Sequence, residues 1–516
     1  MVKEQQESDD LIVPEDRRKS VQTAVVMRGG KEVTASEVAE QLELWRGTAD
    51  SPRGIVVGEG AGRPARTPTM MPKPRSTKGT ALPAMTIEEI ANETNLMCAF
   101  LQVASNKGAA GPDGQSIQQV QKQLQRVLPK LRAELLSGSY RPGEVRRVWI
   151  PKPGGQRGLG IPNVIDRVVQ QAVHQVLSPH FERKFHDSSH GFRPERSCHT
   201  AIAEAKGYIE AGYKWVVDLD LEKFFDRVHH QRLLARLQQL GVDDPRVLNL
   251  IRFMLKAKVI MPNGVVVSTE EGTPQGGPLS PLLSNIVLDE LDKELAQRGH
   301  HFVRYADDCN IYVRSERAGQ RVMASITRYI ESRLKLQVNQ AKSAVARTGL
   351  RHFLGFCVSA TAKVRLSRRS RERINRRIVE LTPRNWGGSL EACVQCINQY
   401  LMGWMGFFHI VDSQEKYTLK ILDGHIRRRL RAIVLRQKKR RSHIVQWFRK
   451  RRVPKRQALV DVYGRHRSLW ALSITKSAHS AMSSYWFDRQ GLLRLVRIWR
   501  AKNIVVVPEQ LPLLSG

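Results

Sequence analysis

Cysteine is scarce. Six are spread over 516 residues, at Cys98, Cys198, Cys309, Cys357, Cys393 and Cys396. Thiols this sparse suit a reducing cytoplasm and exclude a disulfide-stapled secreted fold. The single Cys-x-x-Cys, Cys393 to Cys396, has no second pair and no histidines at matching spacing. It therefore reads as two helix-borne core residues, with a metal or redox role as the alternative. No apolar run reaches membrane-span length, so no membrane partner is expected. The N-terminus has no signal-peptide pattern, and Glu4, Glu7, Asp9 and Asp10 argue against an organellar transit peptide. A cytoplasmic protein is expected. No internal repeat is present.

Acid is also in short supply. Against 84 Lys and Arg stand 49 Asp and Glu, for a formal charge of +35 and a pI of about 10.4. A surplus of that size needs a polyanion, nucleic acid first and an anionic membrane surface second. With 41% hydrophobic residues the chain can bury several real cores.

Residues 1–80 are polar and rich in Pro, Gly, Arg and Thr, which predicts a largely disordered arm with one short helix near 35–46. Thr86-Ile87-Glu88-Glu89 reads as a capping box opening a helix, and residues 81–139 as a helical extension. The loop Gly108 to Gly114 breaks that pattern. Between 140 and 358 strands and helices mix. Val145 to Ile150 reads as a strand, Asp166 to Leu177 as a helix, and Lys214 to Leu221 as a buried strand. A helix follows with Val228, Leu233, Leu234, Leu237 and Leu240 on one face and Gly241 as its stop. Beyond 359 the chain is helical and basic. Residues 427–456 hold 15 Lys or Arg and no acid.

The chemistry concentrates in Tyr305-Ala306-Asp307-Asp308. The flanks, Phe302-Val303-Arg304 and Ile311-Tyr312-Val313, read as two short strands with the acids at the turn between them. Adjacent carboxylates repel unless something positive joins them, and a divalent metal is the usual reason. A solvated Asp-Asp turn is the plain alternative. Asp220 ends the apolar stretch Trp215 to Leu221. A strand and a hairpin can converge Asp220, Asp307 and Asp308, three acids able to hold two Mg2+ ions for phosphodiester formation. Asp218, two residues earlier on the same strand face, reads as a ligand or as an ion-pair partner. Lys152 and Arg157 sit on a hairpin with a Gly-rich tip, fit to grip a triphosphate or merely solvated. Gly272 to Pro281 is a turn-rich loop whose glycines would let template and nucleotide pack on backbone.

The motifs Gly111 to Gly114, Ile150 to Lys152, Leu159 to Pro162, Asp166 to Gln170, His190 to Pro194, Asp220 to Asp226, Thr273 to Gly277, Tyr305 to Asp308 and Phe353 to Phe356 run in a familiar order. The chain resembles the group II intron-encoded reverse transcriptases and maturases over roughly 85–358. Ile397 to Trp404, with Phe407 and Phe408, resembles their maturase or thumb domain. The segments 467–472 and 481–487 resemble their C-terminal sequence.

The resemblance implies a right-hand polymerase of the α+β class: fingers and palm over 140–358, a helical thumb over 359–440, and a basic DNA-binding-like domain over 441–516. It implies metal ligation by Asp220, Asp307, Asp308 and the Leu221 carbonyl, with Mg2+ as the ion and Mn2+ as a substitute. It also implies nucleotide contacts from Lys152, Arg157 and Gln275, and 2′-hydroxyl exclusion by Phe225. Lys342 would protonate the leaving pyrophosphate, or is simply a surface lysine.

The basic stretch puts Arg427, Arg428, Arg431, Lys438, Lys439, Arg440, Arg441, Arg449, Lys450, Arg451 and Arg452 on nucleic acid, with Trp447, Phe448, Tyr463 and Trp470 available for stacking. The expected partners are intron RNA, an RNA template with its DNA primer, target DNA and deoxynucleotides. The expected activity is RNA-directed DNA synthesis with maturase assistance to splicing and target-primed retrohoming. Alternatives are a free-standing enzyme in host defence and a splicing-only maturase. Gly158 replaces a usual Pro, and Cys309 a common aromatic. The Cys-rich HNH domain that ends many relatives is not matched, so no second-strand cleavage is expected. Oligomeric state is not legible.

Overall fold

The structure, a computed structural model, describes residues 82–152, 155–464 and 468–503. The N-terminal arm and its helix near 35–46 lie outside those residues.

Among the described residues, ten strands form three sheets. Val145–Lys152 (β1) and Gly155–Ile161 (β2) make an antiparallel hairpin. Trp215–Leu219 (β3) belongs to the second sheet. Val259–Ile260 (β4) pairs parallel to β1 and antiparallel to Val266–Val267 (β5), giving the order β2-β1-β4-β5. His301–Tyr305 (β6), Asp308–Val313 (β7) and Ala344–Arg347 (β8) join β3 in the order β6-β7-β3-β8, every pair antiparallel. Phe356–Val358 (β9) and Val364–Leu366 (β10) form a separate pair. Beyond β10, every regular element among the described residues is helical, up to Asn503.

The β6-β7-β3-β8 sheet is buried on both faces. Alternating strand side chains therefore go to two different cores. Val217, Leu219, Phe302 and Ile311 pack with the N-terminal helices and with helices Val164–Glu182, His230–Gln239 and Ser280–Gln297. Val216, Val303 and Tyr312 pack with Cys198–Glu210, β9, β10 and the helices beyond, in one core running from Cys198 to Trp499. Helix Lys416–Gln437 carries Leu419, Leu422, Ile426, Leu430 and Ile433 into that core at helical spacing.

Several expectations change in detail. Thr86 is an N-cap residue whose side chain caps nothing, and the helix it opens, Ile87–Ile90, is a single turn. The Ile87 N–H is taken at 2.9 Å by Asp244, 157 residues away, so a tertiary acceptor displaces the local box. The helix expected over 166–177 runs Val164–Glu182. Gly241 stops its helix as expected, at φ +95°. Cys393 is buried and Cys396 half-buried on helix Leu390–Phe408, and no disulfide forms.

A candidate polymerase centre

The β3–β7 register pairs Asp218 with Asn310 and Leu219 with Cys309. One step further along both strands stand Asp220 and Asp308, so the register sets these two acids across from each other at neighbouring strand ends. Asp307 is the last residue of the two-residue turn that joins Tyr305 to Asp308. Ala306, before it, adopts φ +56°, a left-handed conformation that a non-glycine residue holds only when its surroundings enforce it.

The enforcement is visible. Arg304 is completely buried, and its guanidinium donates to both oxygens of Asp292, to Asn285, to the Ser189 hydroxyl and, at 2.8 Å, to the Ala306 carbonyl. A Cβ on Gly191 would stand 2.2 Å from the Ala306 N, so the His190 to Pro194 motif lies directly beneath the turn. Asn285 ties that motif down by donating to the Gly191 carbonyl at 2.8 Å.

Asp220 is clamped through its backbone. Its N–H donates to the Ser343 hydroxyl at 3.0 Å, and its carbonyl accepts from Asn339 N–H at 2.8 Å. The same 337–343 turn presents Lys342, whose Nζ lies 3.7 Å from an Asp220 carboxylate oxygen. Burial lowers the Lys342 pKa from its ordinary value. Asp218 resolves as an ion-pair partner: Arg351 donates to it at 2.8 Å and to the Lys342 carbonyl at 2.6 Å. Leu221 is buried and bridged to Val338.

Asp307 is half-buried. Burial raises its pKa, and the nearby charges of Arg157 and Arg304 oppose that rise. Arg157 stands across from Ile150 on the β1–β2 hairpin, close enough for its charge to act on the acid turn. Lys152 stands across from Gly155 at the tip. Among the described residues, no three His, Cys, Asp or Glu side chains close into a metal cage. The donor set of Asp220, Asp307 and Asp308 is nevertheless hard carboxylate oxygen, the chemistry that suits Mg2+, and two of its members stand across one strand pair.

Phe225 and Gln275 sit on adjoining segments. Phe225 is half-buried against Phe224, with ring centroids 5.2 Å apart. Its carbonyl accepts from Thr273 N–H at 2.6 Å, while the Gln275 carbonyl accepts from Gly160 N–H at 2.7 Å. The loop thus bridges the Phe225 turn and β2. Its glycines pack closely on protein. A Cβ would come within 2.8 Å of the Phe225 carbonyl at Gly272, 2.5 Å of the Gly160 carbonyl at Gly276, and 2.2 Å of the Gln170 amide oxygen at Gly277.

Residues 150–358 match the family Reverse transcriptase (RNA-dependent DNA polymerase), and residues 371–453 match Group II intron, maturase-specific domain. Over 282 residues the chain is 38% identical to Protein YkfC of Escherichia coli (strain K12), covering 47% of this chain and 74% of YkfC. The chain belongs to the group II intron-encoded reverse transcriptases and maturases. Another relative is Group II intron-encoded protein LtrA of Lactococcus lactis subsp. cremoris, 40% identical over 215 residues, which make up 40% of this chain and 34% of LtrA. The Putative COX1/OXI3 intron 1 protein of Saccharomyces cerevisiae is 34% identical over 205 residues, 40% of this chain and 24% of that protein. The chain spans about three quarters of YkfC and about a third or less of the other two. As in any reverse transcriptase of this family, the nucleic-acid substrates include RNA. No described helix is long and apolar enough to cross a membrane.

The basic part of this reverse transcriptase divides by exposure. Lys439, Arg440, Arg441, Arg449, Lys450 and Arg452 are exposed. Lys438 and Arg451 are half-buried over the Trp447 ring, with Arg451 3.6 Å from its centroid, and Arg428 lies 3.9 Å over Trp470. Arg431 is buried and donates to the Met482 carbonyl at 3.1 Å, so its first duty is structural. Phe448 is fully buried, so its ring is closed to stacking from outside, while the Trp447 and Trp470 faces carry arginines. Tyr463 is exposed.

The Arg304 network was not read from sequence, nor was Arg351 as the partner of Asp218. A lone arginine inside an otherwise apolar strand, Phe302-Val303-Arg304, was the available signal.

Proposed function

We propose that this chain is an RNA-directed DNA polymerase that also binds its intron RNA as a maturase and copies that intron at a DNA target by target-primed reverse transcription. The observation that carries the reading is the β3–β7 register, which sets Asp220 across from Asp308 with Lys342 3.7 Å from Asp220. Asp220, Asp307 and Asp308, with the Leu221 carbonyl, are the residues that would hold Mg2+, with Mn2+ as a substitute. Such an ion supplies charge stabilisation to the attacking hydroxyl and the leaving pyrophosphate.

The remaining work falls to side chains. Lys342, its ammonium eased toward proton release by burial, donates a proton as the pyrophosphate gains charge. Arg157 and Lys152 hold the triphosphate from the β1–β2 hairpin. Phe225 closes on the sugar and rejects a 2′-hydroxyl, and Gln275 lines the nucleotide's other side. The exposed cations between Lys439 and Arg452 grip phosphates of intron RNA, primer–template and target DNA. Six cysteines without a disulfide suit work in a reducing cytoplasm.

The test is primer extension on an RNA template with deoxynucleotides and Mg2+, beside a splicing assay with the parent intron RNA. Wild-type protein is expected to support both, and Asp307→Ala only splicing. Equal loss of both by folded Asp307→Ala protein would refute the division of labour.

A further inference from the structure

A cavity of about 350 Å3 opens between helix Lys416–Gln437 and the segment that carries His479 and Ser483, far along the chain from the acids. Its walls include Arg427, Arg428, Arg431, His479 and the Ser483 hydroxyl, with Gly424 beside them. Three guanidiniums and an imidazole line one small space, and no acid does.

The acids nearest in the electrostatics are already committed. The Asp423 carboxylate accepts from the N–H groups of Leu495 and Val496 at 2.8 and 3.4 Å. Asp488 accepts from Arg494 at 2.7 Å and pairs with Arg497 at 3.3 Å. Among the described residues the half-buried Arg427 has no hydrogen-bond or ion-pair partner, and the buried Arg428 Nε has none either. Burial pushes the Arg431 pKa down to about 10, with the Arg427 charge adding to it. The Asp423 and Asp488 charges reach Arg427 and offset part of the repulsion, but neither carboxylate lines the cavity, and clustered, partly desolvated guanidiniums are costly unless an anion joins them.

Gly424 adds an independent sign. It sits inside a helix at an ordinary backbone conformation, and a Cβ built there meets nothing within 4 Å. Glycine weakens a helix interior, and no protein atom requires it here.

We propose that this cavity is a receptor for one phosphate group of a bound nucleic-acid strand. Arg427 and Arg428 would donate to the phosphate oxygens, with the Ser483 hydroxyl and His479 beside them, and Gly424 would leave room for the strand to approach. Planar guanidiniums offer paired donors matched to phosphate geometry. The proposal rests on the nucleic-acid-binding reading above and adds a defined anchoring point to it, apart from the exposed cations of residues 439–452.

Gly424→Glu in the full chain tests it by adding a carboxylate at the cavity wall, where the Cβ itself meets no protein atom within 4 Å. Gly424→Ala serves as the folding control, and Arg427→Gln as a second route. Two probes are titrated: inorganic phosphate, read by thermal shift, and a single-stranded RNA oligonucleotide, read as affinity against salt. Wild type and Gly424→Ala should gain thermal stability from phosphate, and Gly424→Glu should not. RNA affinity should fall on the order of tenfold in Gly424→Glu and Arg427→Gln. The slope of log affinity against log salt should shrink by about 0.7, the share of one contact to single-stranded nucleic acid.

Equal phosphate protection in Gly424→Glu and wild type would overturn the proposal. So would phosphate protection lost while RNA affinity and slope stay at wild-type values, since the cavity would then take free phosphate only. Failure of the wild-type chain to extend a primer would sink the polymerase reading alone, and the phosphate arm would still judge the cavity.

Discussion

Two arginines epitomise two halves of this molecule. Arg304, in the palm sheet, is completely buried, and its guanidinium is satisfied by Asp292, Asn285, Ser189 and the Ala306 carbonyl. Arg427, on the helix Lys416–Gln437, is half-buried with no hydrogen-bond or ion-pair partner among the described residues. Around Arg304, charge is balanced internally, and the balance holds a strained turn in place. In the helical half, cations are left exposed or unpaired at Arg427 and over 439–452, and on the reading proposed above they meet phosphate. Stability and chemistry depend on closing electrostatic accounts in the first region, while recognition depends on leaving them open in the second.

The contrast can be broken most sharply at the acids. Asp307→Ala and Asp308→Ala should each lower RNA-templated primer extension on the order of a thousandfold or more, because charge stabilisation worth several kcal/mol is lost. Gel-shift affinity for RNA should stay within a factor of about three, since the surplus cations are untouched. A parallel loss of binding would erase the distinction between the two halves.

Arg304→Leu probes the internal balance itself. Removing one partner of a buried pair should cost about 3–5 kcal/mol in denaturant unfolding, much of it from Asp292 left charged and alone. The double variant Arg304→Leu with Asp292→Asn should recover part of that loss, and a strictly additive double variant would show that the two residues are not coupled. Lys342→Ala is milder. It should lower the extension rate about a hundredfold while leaving the melting temperature nearly unchanged, as expected for a proton donor at a half-buried site. The smallest effect per residue belongs to the open half. RNA affinity should fall steeply with salt, and each exposed cation between residues 439 and 452 changed to Gln should flatten the slope by at most about 0.7. A salt-independent affinity would mean those cations do not meet phosphate.

The palm was legible where one periodicity carried it. Short apolar runs at Phe302–Val303 and Ile311 to Val313, interrupted by two acids, give both strands and the turn. Asp220 was legible because it ends an apolar strand. What escaped needed distant segments. The Arg304 network joins Ser189, Asn285 and Asp292, and its bonds span up to 115 residues. The close neighbours of Gly272, Gly276 and Gly277, namely Phe225, Gly160 and Gln170, are likewise brought there only by folding. Phe448 looked like a stacking platform because it sits among cations. Its helix instead buries it beside Ile444 and Val445, a spacing the basic residues obscure. Arg431 follows the same logic, turned inward to the Met482 carbonyl.

Mn2+ binding followed by electron paramagnetic resonance, with primer–template and a non-reactive deoxynucleotide analogue present, tests the central claim most directly. The account predicts bound Mn2+ in wild type and its loss in Asp220→Ala, Asp307→Ala and Asp308→Ala, each still folded and still binding RNA. Wild-type Mn2+ occupancy in all three variants would contradict it.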